Sequence, residues 1–386
     1  MRRKGAGAMK RFSLALAVSV SVLGLAGGVS AAQSSLAPRD LGTLGGASSS
    51  AVAINDHRQV VGSSDTPAGD THAFVWEQGQ MTDLGTLGGA FSFAAAINRR
   101  GQIVGSSATA DGSIHAFLWE RGELTDLGTL GGTASFAVAI NESGQIAGSS
   151  RTTSGQTHAF RWEDGEMTDL GTLDASSGFA SSSAIAINNR GQVVGSSSAA
   201  GSPGYPHWFL WDGDELIDLG FVGNAAGLGG SIAINDRGQV AFTGVFAGSA
   251  RAALWHRGTV TDLGALDGRN SSPTAINERG QVVGFSTANA PRAIQAFLWE
   301  NGEMLGLDTL GGVTETATGI NNRGQVAGNS RMSTGEERAA RWWYGVVMDL
   351  GTLGGSSSAS AINARGDVAG SSTTAEGVRH AALWTR

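Results

Sequence analysis

The sequence predicts an all-β fold built from one unit that is repeated along the chain. Three separate sequence markers recur with a period of 42 to 49 residues. Each period contains four short strand-like segments separated by turn residues. Glycine supplies 60 of the 386 residues, and no period contains the ten-residue amphipathic stretch that a helix needs. Strands and tight turns are therefore favoured over helices.

The three markers define eight repeats. The first is Asp-Leu-Gly-Thr-Leu, found five times, with variants at Asp218 and Asp262 and a scrambled copy near Leu307. The second is Ile-Asn, and the third is a tryptophan. No linker or shift in composition interrupts residues 40–386, so we expect one domain over residues 32–386. The Ile-Asn asparagines are Asn55, Asn98, Asn141, Asn188, Asn235, Asn277, Asn321 and Asn363, and the tryptophans are Trp76, Trp119, Trp162, Trp211, Trp255, Trp299, Trp342 and Trp384.

The first repeat shows the order of strands and turns. Strands are predicted over residues 51–54, 59–62, 73–76 and 81–84, with a tight turn that starts at Asn55. Seven repeats place glycine at the fourth turn position, where a left-handed backbone closes the hairpin. Arg58 occupies that position in the first repeat. If it adopts the same conformation, the strain costs about 1 kcal/mol.

Four strands in every repeat are typical of a β-propeller blade, so the sequence predicts an eight-bladed β-propeller of four-stranded meanders. The last repeat ends just after Trp384, before its fourth strand. Residues 39–42 supply a spare fourth-strand segment, so this N-terminal strand is expected to close the ring and remove a free edge. An open β-solenoid is the alternative, but neither terminus offers the cap that it would need.

Residues 1–31 predict a signal peptide. They combine a basic start, an apolar run over residues 12–25 and small residues at 29–32. Cleavage there releases a chain that begins near Gln33. No later stretch reaches the roughly 18 apolar residues of a membrane helix, and the absence of cysteine excludes a lipoprotein anchor. We therefore expect a secreted or periplasmic protein without a membrane span.

The charge of the chain bears on its partners. The formal charge is −7, and removing the five basic groups of the leader (−7 − 5) gives −12. The remaining chain contains no lysine. Such a surface has little to offer a phosphate backbone, so nucleic acid and anionic membranes are not expected partners. A glycan or an extracellular protein is the expected class of partner.

The triplet His72-Ala73-Phe74 recurs at His115 and His158. It is flanked by Asp-Leu-Gly-Thr-Leu-Gly-Gly and by Ile-Asn-x-x-Gly-Gln-Val-Val-Gly. This pattern closely resembles the HAF family of probable extracellular repeats, over residues 40–386. The resemblance implies an exported repeat protein and carries over no catalytic residue, cofactor or substrate. The fifth repeat departs most from it, with Arg251-Ala252-Ala253 at the triplet.

The recurring polar residues favour a structural role. An enzyme rarely needs eight equivalent sites, so the His and Asp of each repeat are predicted to form a buried hydrogen-bond network within a blade. Later repeats carry Arg251, Gln295 or Arg338 in place of the histidine, which keeps a donor but loses acid–base and metal chemistry. The recurring tryptophans are expected to pack between blades. We expect no catalytic residue, no cofactor and no metal.

Calcium and hydrolytic alternatives have weaker sequence support. Only four repeats place a carboxylate after the asparagine, at Asp56, Glu142, Asp236 and Glu278, far short of a calcium loop. No Gly-x-Ser-x-Gly elbow stands between a strand and a helix. A serine triad stays open as an alternative, because serine is abundant throughout the chain.

A binding site is expected on the loops that vary between repeats. The connections before the His-Ala-Phe triplet and after Asp-Leu-Gly-Thr-Leu vary most, and a meander places both on one face. Divergence is greatest in repeats 4 to 6. Aromatic and arginine side chains there suit sugar faces or peptide anchors. The predicted contacts are Tyr205 and Trp208, with Arg251 and Arg269 as polar partners.

These observations predict a non-catalytic, exported eight-bladed propeller that binds a cell-surface or environmental glycan or protein through its variable loop face. One alternative is a secreted carbohydrate-active hydrolase or lyase with a site in repeats 4 to 6. The other is a structural envelope or matrix component that self-associates.

Overall fold

A computed structural model of the chain describes residues 37–385 except 175, 203–204, 223–229, 267, 269 and 288–293. Residues 35–386 form one compact unit. The predicted signal peptide and Arg269 lie outside the described residues. The described part contains strands, turns and bends but no helix, which confirms the all-β class. It follows that the described part offers no helix that could cross a membrane.

The strands follow the repeats in order along the chain. The first half of the chain contains β1 (Arg39–Asp40), β2 (Ser49–Ile54), β3 (Val60–Asp65), β4 (Thr71–Glu77), β5 (Gln80–Asp83), β6 (Gly88–Ile97), β7 (Ile103–Thr109), β8 (Ile114–Glu120), β9 (Glu123–Asp126), β10 (Gly131–Ile140), β11 (Ile146–Thr152), β12 (Thr157–Glu163), β13 (Glu166–Asp169), β14 (Ser182–Ile187), β15 (Val193–Ser197), β16 (His207–Asp212) and β17 (Glu215–Phe221). The second half contains β18 (Ile232–Ile234), β19 (Val240–Phe246), β20 (Ser249–His256), β21 (Thr259–Gly264), β22 (Ser271–Ile276), β23 (Val282–Thr287), β24 (Ile294–Glu300), β25 (Glu303–Gly306), β26 (Gly311–Ile320), β27 (Val326–Met332), β28 (Glu337–Trp343), β29 (Val346–Asp349), β30 (Gly354–Ile362), β31 (Val368–Thr374) and β32 (Arg379–Trp384).

Antiparallel pairing joins the strands of each repeat into a meander. In the first repeat β2 pairs with β3, β3 with β4 and β4 with β5. The last repeat supplies only β30, β31 and β32, and β1 pairs with β32 as its fourth strand, with Arg39 opposite Leu383. Short parallel pairings, such as Thr71 opposite Phe91, link some neighbouring repeats. No sheet of the described residues closes on itself.

The core lies between neighbouring repeats. Val61 of the first repeat packs with Ile103 and Phe117 of the second, while Val60 packs with Leu383 of the last. Consecutive residues of β3 therefore face two different cores, so this strand is covered on both faces. This arrangement explains why the two adjacent residues at the start of β3 are both apolar instead of alternating with polar residues.

A glycine follows the paired apolar residues of β3 because the neighbouring backbone approaches closely. A Cβ atom at Gly62 would lie 1.9 Å from the carbonyl oxygen of Ser50. The close approach coincides with a β-bulge between Ala51 and Ala53. The turn before β3 has the predicted left-handed residue, since Arg58 has φ of 65° where Gly101 of the next repeat has 79°.

Candidate functional site

The asparagines of the second marker build a hydrogen-bonded network at one end of the strands. Asn55 Oδ1 accepts the backbone N–H groups of His57 and Gln59, both at 3.0 Å. Its Nδ2 donates to Gln59 Oε1 at 2.6 Å and to the carbonyl oxygen of Asn98 in the next repeat at 3.1 Å. Every asparagine of this marker makes the same bond to the next one along the chain, and Asn363 donates to the carbonyl oxygen of Asn55 at 3.1 Å. The polar atoms of these asparagines are therefore used in hydrogen bonds within the fold.

The carboxylates that follow these asparagines are also engaged between repeats. Asp56 accepts the N–H of Ala364 at 2.8 Å, and Glu142 accepts that of Arg99 at 3.1 Å. Asp236 and Glu278 accept a backbone N–H group in the same way. Within the described residues, no three His, Cys, Asp or Glu side chains are grouped as a metal site would require.

The predicted His–Asp pairing is present at the other end of the strands. In five repeats the histidine Nδ1 lies 2.8 to 2.9 Å from an aspartate Oδ2, in the pairs His72–Asp83, His115–Asp126, His158–Asp169, His207–Asp218 and His380–Asp40. Arg251 pairs with Asp262 at 3.0 Å in the fifth repeat. The aspartates are partly exposed, so these pairs lie at the surface rather than in the buried setting expected from sequence.

The fourth repeat contains a cavity of about 460 Å³ at this end of the strands. Serine hydroxyls dominate its lining, and two aromatic rings stand at its rim. The lining residues are Asp174, Ser177, Phe179, Ala180, Ser181, Ser182, Ser183, Ser196, Ser197, Ser198, Ala199, Ser202, Tyr205 and Pro206. Ser182 and Ser197 at the floor are used by the fold, since Ser182 Oγ donates to the carbonyl oxygen of Gly171 and Ser197 Oγ to that of Ser198.

Two insertions open this cavity. Asp169 and Asn188 are 19 residues apart, whereas Asp83 and Asn98 of the earlier repeat are 15 apart. In the fourth repeat β14 begins at Ser182, whereas β6, β10 and β26 begin at the Gly-Gly step. The connection from β15 to β16 is also longer than its counterparts in the first three repeats. The cavity lies between these two longer connections, and both contribute residues to its lining.

The rim of the cavity carries exposed aromatic rings. Phe179 is 95% exposed and Tyr205 is 58% exposed. The Tyr205 ring is held edge-on against the Phe221 ring, with centroids 5.3 Å apart. The backbone N–H of Tyr205 donates to the carbonyl oxygen of Ser202. A fixed ring beside serine hydroxyls and the carboxylate of Asp174 can stack on an apolar ligand face while the polar groups bind hydroxyls.

Ser202 of the cavity lining ends a hydrogen-bonded chain of three polar side chains. His207 Nδ1 lies 2.9 Å from both carboxylate oxygens of Asp218, and its Nε2 lies 3.2 Å from Ser202 Oγ. With Nδ1–H donating to Asp218, Nε2 accepts the Ser202 hydroxyl proton, which is the arrangement of an activated serine. Among the His–Asp pairs of the described residues, only this histidine has such a hydroxyl on Nε2.

The structure does not bring the residues predicted to bind ligand together in one site. Tyr205 lines the cavity, but Trp208 is 3% exposed and its Nε1 donates to the carbonyl oxygen of Thr243 at 2.8 Å. Trp208 packs against Phe242 of the next repeat, so it presents no surface to a ligand here. Arg251 is occupied by Asp262 and is not part of the cavity lining. The prediction placed Trp208 in a loop, whereas it lies in β16 and faces the core.

Phe179 and Ser202 lie in the variable connections of the fourth repeat, within the region of greatest divergence, but the sequence analysis did not select either residue. The signal for Phe179 was an aromatic residue in an insertion rich in serine and glycine, where no core position requires one. Ser202 gave no such signal, because its proximity to His207 depends on the path of the connection between β15 and β16.

No protein-family model matches this sequence, and no curated protein matches it. Solved structures are similar in fold at low sequence identity. A puromycin-hydrolysing peptidase from Mycobacterium tuberculosis matches with 12% identity and a TM-score of 0.50, over 79% of this chain and 52% of that chain. The β-propeller domain of the trilobed protease from Pyrococcus furiosus matches with 11% identity and a TM-score of 0.49, over 76% and 93% of the two chains.

TolB from Acinetobacter baumannii matches with 11% identity and a TM-score of 0.38, over 72% of this chain and 73% of that chain. The match to the mycobacterial peptidase spans about half the length of that protein. These similarities concern the fold alone. The described chain is an all-β protein of repeated multi-stranded sheets whose structural neighbours include β-propellers.

Proposed function

We propose that this protein is an exported, eight-bladed β-propeller that binds a glycan, without catalysis, through the cavity of its fourth repeat. The resemblance to HAF repeats and the predicted signal peptide support export. The observation that carries the binding role is the pair of exposed rings, Phe179 and Tyr205, at the rim of a serine-lined cavity.

Three contacts between the first and last repeats support a closed ring of eight blades. β1 pairs with β32, Asn363 Nδ2 donates to the carbonyl oxygen of Asn55, and Arg58 pairs with Asp367 at 2.8 Å. All seven remaining pairs of consecutive repeats are joined by an equivalent asparagine hydrogen bond. An open solenoid would leave its first and last repeats without these contacts.

The chemistry of the cavity favours a glycan over a protein. Sugar rings present apolar C–H faces that stack on aromatic side chains, and their hydroxyl groups bind serine and carboxylate oxygens. Phe179 and Tyr205 offer the first kind of contact, and Ser181, Ser198 and Asp174 offer the second. The cavity volume lies at the low end of the range of small-ligand sites, which suits one or two sugar units.

The test is a binding screen of purified protein against a panel of glycans and cell-wall polysaccharides. Tyr205→Ala and Phe179→Ala are each expected to weaken a saturable hit at least about tenfold, the loss of one aromatic contact. Phe136→Ala is the matched control, because Phe136 is an exposed phenylalanine of the third repeat outside the cavity. A hit that survives both cavity variants, or no hit from folded protein, would contradict a glycan site here.

A second candidate function rests on the Ser202–His207–Asp218 chain. It favours an esterase acting on an ester group of the bound glycan. Ser202 Oγ would attack the ester carbonyl carbon as its proton moves to His207 Nε2, and His207 would return that proton to the departing alcohol. Water would then release the acid from Ser202 by the reverse proton path, with Asp218 holding the imidazole in place.

Covalent labelling by a fluorophosphonate probe tests this candidate directly. Labelling and ester hydrolysis that are abolished by Ser202→Ala but not by Ser177→Ala, another serine of the cavity lining, would support an esterase. If folded protein binds a glycan but is not labelled, the esterase candidate is contradicted and the non-catalytic binding role is favoured.

A further inference from the structure

A second cavity, of about 580 Å³, lies between the sixth and seventh repeats at the opposite end of the strands from the serine-lined cavity. It is lined by the tight turns that join β22 to β23, β26 to β27 and β28 to β29, together with β24, β25 and the two residues that follow β25. In an antiparallel meander these turns and the variable connections alternate between the two ends, so the turn residues of this cavity lie at the end away from the serine-lined cavity.

Four large apolar side chains are exposed in this cavity. Tyr344 is 87% exposed and stacks on Trp343, with ring centroids 5.1 Å apart and planes at 25°. Leu305 and Val346 are more than half exposed beside them. We call these four residues the apolar patch. A contiguous exposed apolar cluster of this kind marks a surface that is covered by another molecule.

The other repeats show that folding does not require these residues. The first seven repeats form the same hairpin, and most counterparts of Trp343, Val346 and Leu305 are polar. Trp343 stands where four repeats have glutamate, Val346 where four have glutamate and one has glutamine, and Leu305 where four have threonine. The polar counterparts are Glu77, Glu120, Glu163 and Glu300 for Trp343; Gln80, Glu123, Glu166, Glu215 and Glu303 for Val346; and Thr82, Thr125, Thr168 and Thr261 for Leu305.

Tyr344 also has an unusual backbone for an aromatic residue. Its φ of 51° lies in the left-handed region, which Gln78, Arg121, Asp164 and Asn301 occupy in equivalent hairpins. A bulky ring is uncommon in that region. Three polar-to-apolar replacements and a ring at the turn, all at one cavity, point to an interface rather than to drift.

The charges around the apolar patch are balanced. Arg279 and Arg323 line the cavity together with Glu300 and Asp308, and Arg279 lies 3.3 Å from Glu300. The chain as a whole is acidic, so two copies repel each other elsewhere. A surface that carries both signs beside exposed Trp and Tyr is complementary to itself under two-fold symmetry.

We propose that the apolar patch is the interface of a two-fold symmetric homodimer. The aromatic pair of each copy packs on Leu305 and Val346 of the other copy, and Arg323 of each copy meets the carboxylate of Asp308 across the interface. The serine-lined cavity belongs to another repeat and shares no lining residue with this cavity, so it stays open in both copies. The dimer therefore presents two outward-facing ligand sites, which gives avidity for a polymer or a surface.

Sedimentation velocity of the full chain tests the proposal over about 1 to 100 μM, where interfaces of modest size dissociate. The wild-type mass is expected to rise from one chain to two. The variant Trp343→Glu with Val346→Gln restores the residues of the other repeats and is expected to stay monomeric with an unchanged melting temperature. Phe136→Ser removes an exposed ring outside the patch and is expected to dimerise like the wild type.

Tyr344→Asn provides a milder second variant, because Asn301 fills the same turn position in the sixth repeat. It is expected to raise the dimer Kd at least about tenfold. A wild-type chain that is monomeric throughout the range, one that assembles beyond a dimer, or patch variants that associate like the wild type would each overturn the proposal. The last result would assign association to another surface, including the N-terminal segment.

Discussion

At the scale of single residues, the clearest departure from the repeat is Glu315. Six other repeats have serine at this position, as in Ser92, whose hydroxyl donates to the carbonyl oxygen of Gly85 and accepts the N–H of Ala73. Glu315 is 2% exposed, and within the described residues its Oε1 has no hydrogen-bond partner. Burial raises the pKa of Glu315 to about 7 from an ordinary value of 4.5.

Stability is therefore expected to fall as the pH rises. Below about pH 4.5 the carboxyl is protonated in both the folded and unfolded chains and carries no penalty. Between about 4.5 and 7 only the unfolded chain releases the proton, which lowers the free energy of unfolding by about 3 kcal/mol in total. Denaturant unfolding at pH 4.5 and pH 8 should show this loss in the wild type.

Glu315→Ser provides the comparison, since it restores the residue of the other repeats. The variant is expected to lack the Glu315 contribution to the pH dependence and to be more stable than the wild type at pH 8. An equal loss of stability in both proteins between the two pH values would show that other groups cause it.

Trp208 allows packing to be separated from ligand binding. Trp208→Phe keeps an aromatic side chain but removes the indole N–H that donates to the carbonyl oxygen of Thr243, and we expect a loss of about 1–3 kcal/mol of stability. Ligand affinity at the cavity of the fourth repeat is expected to be unchanged, in contrast to Tyr205→Ala. Thermal unfolding and a binding isotherm on the same samples check both effects. A loss of affinity with unchanged stability would restore Trp208 as a ligand contact.

At the scale of the hairpin, the turn glycine of each repeat accommodates the glutamine of the preceding one. A Cβ atom at Gly101 would lie 3.1 Å from Gln59 Oε1. Only the contact between the last and first repeats differs: Asp367 replaces the glutamine and Arg58 replaces the glycine. Arg58 Nε donates to Asp367 Oδ2 at 2.8 Å, and Asp367 is 1% exposed. Two departures from the repeat thus compensate each other.

A double-mutant cycle tests this compensation. Arg58→Gly leaves a buried carboxylate unpaired and is expected to cost about 3 kcal/mol. Asp367→Gln removes the ion-pair partner of Arg58, whose side chain is already partly exposed, and is expected to cost about 1 kcal/mol of stability. The double variant restores the pattern of the other repeats and is expected to lie within about 1 kcal/mol of the wild type. Additive losses in denaturant unfolding would show that the two residues act independently.

At the scale of the whole chain, the fourth strand of the last repeat comes from the other end of the sequence. β1 covers the edge of β32, and Asp40 pairs with His380. Deletion of residues 1–42 is expected to expose that edge, lower the melting temperature and promote association. Deletion of residues 1–32 is the matched control and should leave the melting temperature unchanged. Equal melting temperatures and light scattering for the two deletions would show that β1 contributes little.

The repeat pattern predicted the strands well because its signals are local. Asn55, the left-handed turn position and the alternation around Trp76 depend on neighbours within one hairpin, and the predicted strands of the first repeat agree with β2 to β5 to within two residues at most bounds. Tyr205, which lines the cavity, was selected as a candidate contact from the same kind of local signal, since it lies in a connection that breaks the period. Trp208 was misplaced because the boundary between that connection and β16 cannot be read from a divergent stretch.

The sequence by itself determined the all-β class, the repeated meander and the chain segment that pairs with the last strand, because period, turn chemistry and apolar runs are properties of contiguous residues. Only the tertiary structure decided which aromatic rings are exposed, that Ser202 meets His207, that Glu315 lacks a partner at its Oε1, and that Leu305 and Trp343 share one cavity. These features join residues of different connections or different repeats, and packing alone sets their distances.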